Sequence, residues 1–318
     1  MEYLHDSYIK AIFLTAHLPV VYSKINWLIM NGVFAQIISM FSFGVSNALW
    51  RKPINKLIAE EAIIYRTVFS ISFFIVLLFF VKTPEINVKT GAFGFNIWVF
   101  TFIVSCLSYF GLFFFNKALK FATTGLVVIV TTTSYLFLQF TSILILGESP
   151  KVAYILPFGL FLISILIADY KSISNLKFSK GVIFGLLAAF FWGTTLPLLS
   201  IPSKQIGFVQ TGLILESSVM LMSVLCLFIV QKRKLSFNNF KKDLQYFVLL
   251  GFFAGNGVLF NNLSYTKIPV YLAGSIASCT HLVTILVSWI LFKERLKPHQ
   301  YVAAILAGFA VYYVASVL

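Results

Sequence analysis

The amino-acid sequence predicts an all-α, polytopic membrane protein with ten transmembrane helices in two inverted five-helix repeats. Hydrophobic residues make up 59% of the 318 residues and charged residues only 11%, whereas soluble domains carry roughly 25% charged residues. The apolar residues form long continuous runs, which excludes the alternating pattern of a β-barrel. The second half of the chain also repeats the polar pattern of the first half. These three observations define the fold class.

Ten apolar stretches follow one another from residue 32 onward, and most reach the ~17–25 residues that a membrane-spanning helix needs. Their connections are short and leave no room for a soluble domain. We therefore predict repeat 1 at residues 32–170, with stretches one to five, and repeat 2 at residues 171–318, with stretches six to ten. The stretches are Val33–Trp50, Ala62–Val81, Phe93–Asn116, Thr124–Leu146, Val152–Ala168, Gly181–Leu199, Phe208–Val230, Tyr246–Tyr265, Tyr271–Phe292 and Tyr301–Val317.

Residues 1–31 differ from the rest of the chain, because acidic residues, two His and Pro19 interrupt every apolar run. The segment also lacks the basic start of a secretory signal. We expect either an interfacial helix or a translated upstream extension with Met30 as the natural start.

Matching residues recur at a nearly constant distance along the chain. Glu148 and Glu294 lie 146 positions apart, and Gly44 and Gly193 lie 149 apart. A unit of five helices crosses the membrane an odd number of times, so its second copy enters the membrane upside down. Inverted repeats of this kind place a substrate site near the bilayer midplane, where the two halves meet.

The ninth stretch carries a polar face within an otherwise apolar helix. Ser278, His281, Thr284 and Ser288 are spaced by three and four residues, so they share one side of a helix. Lipid cannot hydrogen-bond such a face, which should therefore meet protein or a water-filled cavity. His281 is a candidate for substrate or proton binding, because imidazole titrates near neutrality. A neutral His that bonds across a helix interface is the alternative.

The fourth stretch repeats this pattern, with Thr132, Tyr135, Gln139 and Ser142 on one side. Small hydroxyl groups more often join helices than bind ligands, so Tyr135 and Gln139 are the stronger candidates. Tyr135 is the repeat counterpart of His281, and each is expected to face the other half near the midplane.

Glu216 is the only acidic residue well inside an apolar run. Its counterpart in repeat 1 is close to Arg66, so equivalent positions of the two halves carry opposite charges. Ionisable residues inside a membrane usually mark an ion or substrate path. The predicted substrate- or ion-binding residues are His281, Glu216, Tyr135, Gln139, Ser278, Trp192, Asn47 and Asn262.

Several short motifs occur in a fixed order. Phe43-Gly44 and Trp192-Gly193 occupy the first stretch of each half, Arg66 lies in the second stretch, and Leu146-Gly147-Glu148 closes the fourth. This order resembles the EamA-type ten-helix members of the drug/metabolite transporter superfamily, from residue 33 to the end. The family usually has a Pro thirteen residues before each Glu, where this chain has Tyr135 and His281.

The resemblance implies a secondary transporter in the bacterial cytoplasmic (inner) membrane, which exports small metabolites such as amino acids by alternating access. The expected partners are the lipid bilayer, a small-molecule substrate and protons, whereas nucleic acid, cofactors and metals are not expected. No phosphate-binding loop or metalloprotease motif supports an enzyme. A proton-independent facilitator or channel and a non-transporting membrane scaffold remain as alternatives, and both a monomer and a homodimer remain open.

Two arguments about orientation disagree. About two thirds of the 24 Lys and Arg residues lie in connections that follow odd-numbered stretches, including residues 231–243. The positive-inside rule places these connections in the cytoplasm and both termini outside, whereas the family resemblance implies cytoplasmic termini. We expect the 231–243 connection to be cytoplasmic.

Overall fold

The structure, a computed structural model, describes residues 32–82, 91–149, 179–235, 237–293 and 297–316, together with six residues of the fifth stretch. The predictions made for residues 1–31, for most of the fifth stretch and for Glu294 lie outside the described residues.

Helices account for nearly all of the described chain, as the composition predicts. Eight helical segments, corresponding to stretches one to four and six to nine, are long and apolar enough to cross a membrane. Stretch ten forms a further helix, and the total of ten spans stays a prediction because stretch five is mostly outside the described residues. The helices are α1 Gly32–Leu49, α2 Arg51–Ile54, α3 Ala59–Leu78, α4 Ile97–Phe121, α5 Thr124–Thr131, α6 Ser134–Leu144, α7 Lys180–Leu198, α8 Ser200–Gln205, α9 Phe208–Leu225 with a π-helical continuation Cys226–Val230, α10 Phe237–Lys242, α11 Leu244–Tyr265, α12 Val270–Ala277, α13 Thr280–Phe292 and α14 Pro298–Ser316.

Helices α3 and α4 begin away from their predicted positions, each for a local reason. Helix α3 begins three residues early and includes Glu60 and Glu61 in its first turn, where acidic side chains interact favourably with the helix dipole. Helix α4 begins late, because Asn96 caps it by accepting a hydrogen bond from the backbone N–H of Trp98 at 2.9 Å. A two-residue antiparallel hairpin, β1 Gly91–Ala92 and β2 Phe95–Asn96, precedes it.

Stretches four and nine are both interrupted at equivalent positions. Helix α5 ends at Thr131 and α6 starts at Ser134, while α12 ends at Ala277 and α13 starts at Thr280. Hydroxyl groups beside both breaks donate to carbonyls three or four residues earlier: Thr131, Thr132 and Thr133 at the first break, and Ser278 and Thr280 at the second. Such back-bonding bends helices. A cluster of hydroxyl residues therefore accompanies each break.

The outer surface of the bundle is strongly apolar. Phe79 is 83% exposed, Leu144 78% and Val230 75%, which suits contact with lipid. Polar residues of the spanning helices, such as Arg66, Asn116 and Thr284, are instead buried inside the bundle. This distribution follows from the lack of hydrogen-bonding groups in hydrocarbon.

The packing between the halves repeats along the chain. Helix α1 packs along α11, and its counterpart α7 packs along α4, while α3 and α9 pack against each other. The first helix of each half therefore lies on the third helix of the other half. This regularity supports the predicted repeat, and the inverted orientation of the two copies stays a prediction.

Glycines permit these helices to approach closely. A Cβ atom on Gly111 of α4 would lie 2.3 Å from Cδ1 of Trp192 on α7, and one on Gly257 of α11 would lie 2.7 Å from Cδ1 of Phe43 on α1. Trp192 and Phe43 occupy equivalent positions of the two halves. The aromatic ring of each first helix thus packs on a glycine of the opposite half.

We predict that Gly111→Ala destabilises the protein, because the new methyl group displaces the Trp192 ring from its packed position. Overpacking of this kind costs ~1–3 kcal/mol, which should lower the melting temperature measured in detergent. Gly159→Ala is the matched control, because its Cβ would meet no atom of the described residues within 4 Å. Equal melting temperatures for the two variants would show that this contact does not constrain the packing.

Candidate functional site

A cavity of about 130 Å³ lies between the two halves, at the level of the interruptions in stretches four and nine. Ser134 and Tyr135 line it beside the first interruption, and Ala277 and Thr280 line it beside the second. Pockets for drug-sized ligands measure ~300–1,000 Å³, so this cavity favours a small solute.

One buried ion pair crosses between the halves inside the cavity wall. Arg66 of α3 donates from Nη1 and Nη2 to the two carboxylate oxygens of Glu216 on α9, the Nη2–Oε1 distance being 3.1 Å. Ser70 Oγ donates to Glu216 Oε2 at 2.7 Å. Arg66 and Glu216 are 5% and 1% exposed, and both line the cavity. The paired fork geometry is the strongest arrangement that Arg and a carboxylate adopt.

One N–H group of Arg66, at Nε, takes no part in the ion pair. Arg66 Nε has no hydrogen-bond partner among the described residues, although a buried donor of a charged group is costly to leave unpaired. This nitrogen is itself buried, and Arg66 and Glu216 together line the cavity.

Aromatic side chains form much of the remaining wall: Phe43, Trp50, Tyr135, Trp192 and Tyr265. The Tyr135 hydroxyl donates to the carbonyl oxygen of Ala277 at 2.6 Å. This bond joins helix α6 of the first half to the end of α12 in the second half, directly beside the cavity.

Two amides complete the polar part of the wall, Asn47 of α1 and Asn261 of α11. Asn261 Oδ1 accepts a hydrogen bond from Gln36 Nε2 at 3.3 Å, and Ser264 Oγ donates to Gln36 Oε1. Asn261 is thereby held in place by a network that again connects the two halves.

The structure brings four of the eight predicted site residues to this cavity: Asn47, Tyr135, Trp192 and Glu216. The other four make contacts elsewhere. Gln139 donates to the Tyr271 carbonyl at 3.1 Å, Asn262 donates to the Phe208 carbonyl at 3.5 Å, Ser278 donates to the Ser275 carbonyl at 2.6 Å, and His281 Nδ1 bonds with the Ser278 carbonyl oxygen. His281 is buried but does not line the cavity.

Three important wall residues were absent from the sequence-based set of candidates. Arg66 was noted only as a motif residue and as the counterpart of Glu216, yet the need to neutralise a buried acid could have identified it. Asn261 is adjacent to the predicted Asn262, and one residue turns a helix by about 100°. Tyr265, at the end of α11, gives no signal in the sequence pattern.

The fold and its cavity define a polytopic helical membrane protein with a polar interior between two similarly packed halves. The model of the EamA-like transporter family matches residues 179–316, which confirms the resemblance over the second half of the chain.

Solved structures support the fold over nearly the whole chain. Twenty-nine chains match, and one of them, a crystal structure described only as that of a protein, covers 89% of this chain and 96% of its own. Its TM-score is 0.66 and its sequence identity is 15%, so it is similar in fold alone. No curated protein matches the sequence.

We predict that removing one partner of the Arg66–Glu216 pair destabilises the protein far more than removing both. Glu216→Leu or Arg66→Met alone leaves an uncompensated buried charge, which costs ~3–5 kcal/mol, whereas replacement of both partners by apolar residues is often neutral. Melting temperatures of the two single variants and the double variant in detergent measure the difference. A double variant that melts as low as the single variants would contradict this account.

Proposed function

We propose that the chain is a secondary transporter that exports a small metabolite, such as an amino acid, across the bacterial cytoplasmic membrane by alternating access. The observation that carries this proposal is the Arg66–Glu216 pair in the wall of a cavity between the halves. Charged residues within a membrane usually face such a cavity and mark a substrate or ion path.

The chemistry of the wall fits a small zwitterion. A carboxylate would be attracted by Arg66 and an ammonium group by Glu216, since both residues line the cavity. Trp192 and the other aromatic side chains supply apolar surface for the rest of the solute. A few placed polar groups within an apolar lining are typical of small-molecule sites.

Repeated packing between the halves supports the alternating-access part of the proposal. Inverted repeats that meet at a central site can rock against each other and so expose the site to one side at a time. The facilitator alternative differs in having rates that do not depend on a proton gradient. The scaffold alternative differs in tolerating apolar replacements of Glu216, Tyr135 and His281.

We predict that Asn47→Ala reduces transport by roughly tenfold, because it removes a hydrogen-bonding group from the cavity wall. The measurement is the flux of radiolabelled amino acids in proteoliposomes, with and without an imposed pH gradient. Asn256→Ala is the matched control, because Asn256 Nδ2 bonds only within its own helix, to the Phe252 carbonyl at 2.9 Å, and does not line the cavity.

Equal fluxes in the two Asn variants would place the path elsewhere. If the flux through the unchanged protein does not depend on the pH gradient, the result would favour the facilitator alternative. No flux of any member of a broad panel of small solutes would favour the scaffold.

We also predict that the face holding residues 231–243 is cytoplasmic, because it carries most of the Lys and Arg residues. A thiol introduced by Asn238→Cys, at an exposed position, should resist a membrane-impermeant reagent added to intact cells. A thiol introduced by Ser149→Cys, on the opposite face, should react. The reverse labelling pattern would place both termini in the cytoplasm, as the family resemblance implies.

A further inference from the structure

Glu148 connects the two halves at one face of the membrane, here called the Glu148 face. It follows α6 in the first half, and its carboxylate accepts hydrogen bonds from the backbone N–H groups of Val270 at 2.8 Å and Tyr271 at 3.0 Å. These two residues begin α12 in the second half. Glu148 thus binds the start of a helix that belongs to the opposite half.

A vestibule of about 460 Å³ opens beside this contact, lined by Glu148, Lys204, Lys267 and Tyr271 among others. Tyr265 lines both this vestibule and the central cavity. Its side chain is 2% exposed and packs with Leu138 of α6 and with Val270 and Ala273 of α12. A single layer of side chains therefore separates the central cavity from the vestibule.

The same helices form this layer and hold the Glu148 contact. Leu138 of α6 also packs against Gly274 of α12, where an added Cβ would lie 2.5 Å from Leu138 Cδ2. If α12 moved away from α6, the Leu138–Val270 contact would open and Tyr265 would lose its packing. The Glu148 bonds lie at the vestibule end of this contact and oppose that movement.

We propose that Glu148 is a latch residue, which holds α12 against α6 and so keeps the exit past Tyr265 closed on the Glu148 face. This inference rests on the proposed transport function, for which it supplies one of the two gates. A carboxylate suits the role because it is attracted by the positive end of the helix dipole and satisfies N–H groups that have no partner within α12. Bonds to backbone atoms also make the latch independent of the side chains at residues 270 and 271.

The test measures how fast a thiol in the cavity reacts from the Glu148 face. The thiol is introduced by Ser134→Cys, which lines the cavity, after Cys106, Cys226 and Cys279 have been replaced by Ser. A membrane-impermeant methanethiosulfonate reagent is applied to proteoliposomes. A separate Ser149→Cys protein, with its thiol at the exposed vestibule position, identifies the side on which the Glu148 face lies.

We expect Glu148→Ala to raise the labelling rate of the cavity thiol from that side on the order of tenfold, since it removes two charge-assisted hydrogen bonds. Val270→Pro should raise the rate in the same direction by deleting one donor. It should preserve the helix, because proline is well tolerated at the first helical position. Thr266→Val is the control, because Thr266 lines the vestibule without bonding to Glu148.

Val270→Pro should add little in a protein that already carries Glu148→Ala, because the two changes remove the same bond. Unchanged labelling in both single variants, or full additivity in the double variant, would overturn the latch. Melting temperatures establish that the compared proteins are folded.

Labelling reports the exit whether or not a substrate is transported. Accelerated labelling in a protein that transports nothing would support the latch while rejecting the proposed function. Loss of transport in Glu148→Ala with unchanged labelling would reject the latch while leaving the proposed function in place.

Discussion

Arg66 and Glu216 are two charges buried between the halves, and each requires the other as its partner. The packing of the interior must therefore keep them in contact. Removing an ion from water costs several kcal/mol even after the surroundings relax, so neither helix α3 nor helix α9 can bury its charge alone. Their fork-shaped pairing, with Ser70 as an additional donor, offsets this cost only when the two helices lie side by side. The cavity lies where they meet, with Arg66 and Glu216 in its wall.

Helix packing around the pair depends on small residues and on helix interruptions. Gly111 and Gly257 accept the aromatic rings of Trp192 and Phe43, which brings the first helix of each half onto the third helix of the other. The breaks after Thr131 and Ala277 lie beside the cavity. Interrupted helices at membrane depth occur where they are buried in protein or line a cavity, and both conditions hold here.

The sequence was informative wherever one physical requirement dominated. Long apolar runs predicted the helices, and an acid inside an apolar run identified Glu216, although its pairing with Arg66 was not predicted. The polar faces of stretches four and nine were less informative, since their periodicity assumes an unbroken helix. Both stretches break at equivalent positions, yet Tyr135 lines the cavity whereas its counterpart His281 does not. Asn261 lines the cavity where Asn262 was predicted, because periodicity alone does not fix the rotation of a helix to within one residue.

The two membrane faces are held by bonds of different kinds. On the Glu148 face, a carboxylate binds backbone N–H groups of the other half. On the opposite face, Lys56 Nζ donates to Asp243 Oδ1 at 3.1 Å and to Oδ2 at 2.8 Å across the halves, and the two side chains are 46% and 2% exposed. Salt screens the exposed Lys56 end of this pair, whereas a buried carboxylate such as Asp243 is costly to leave unpaired. The two faces of the bundle are therefore joined by chemically different contacts, carboxylate–backbone bonds on one face and a half-buried ion pair on the other.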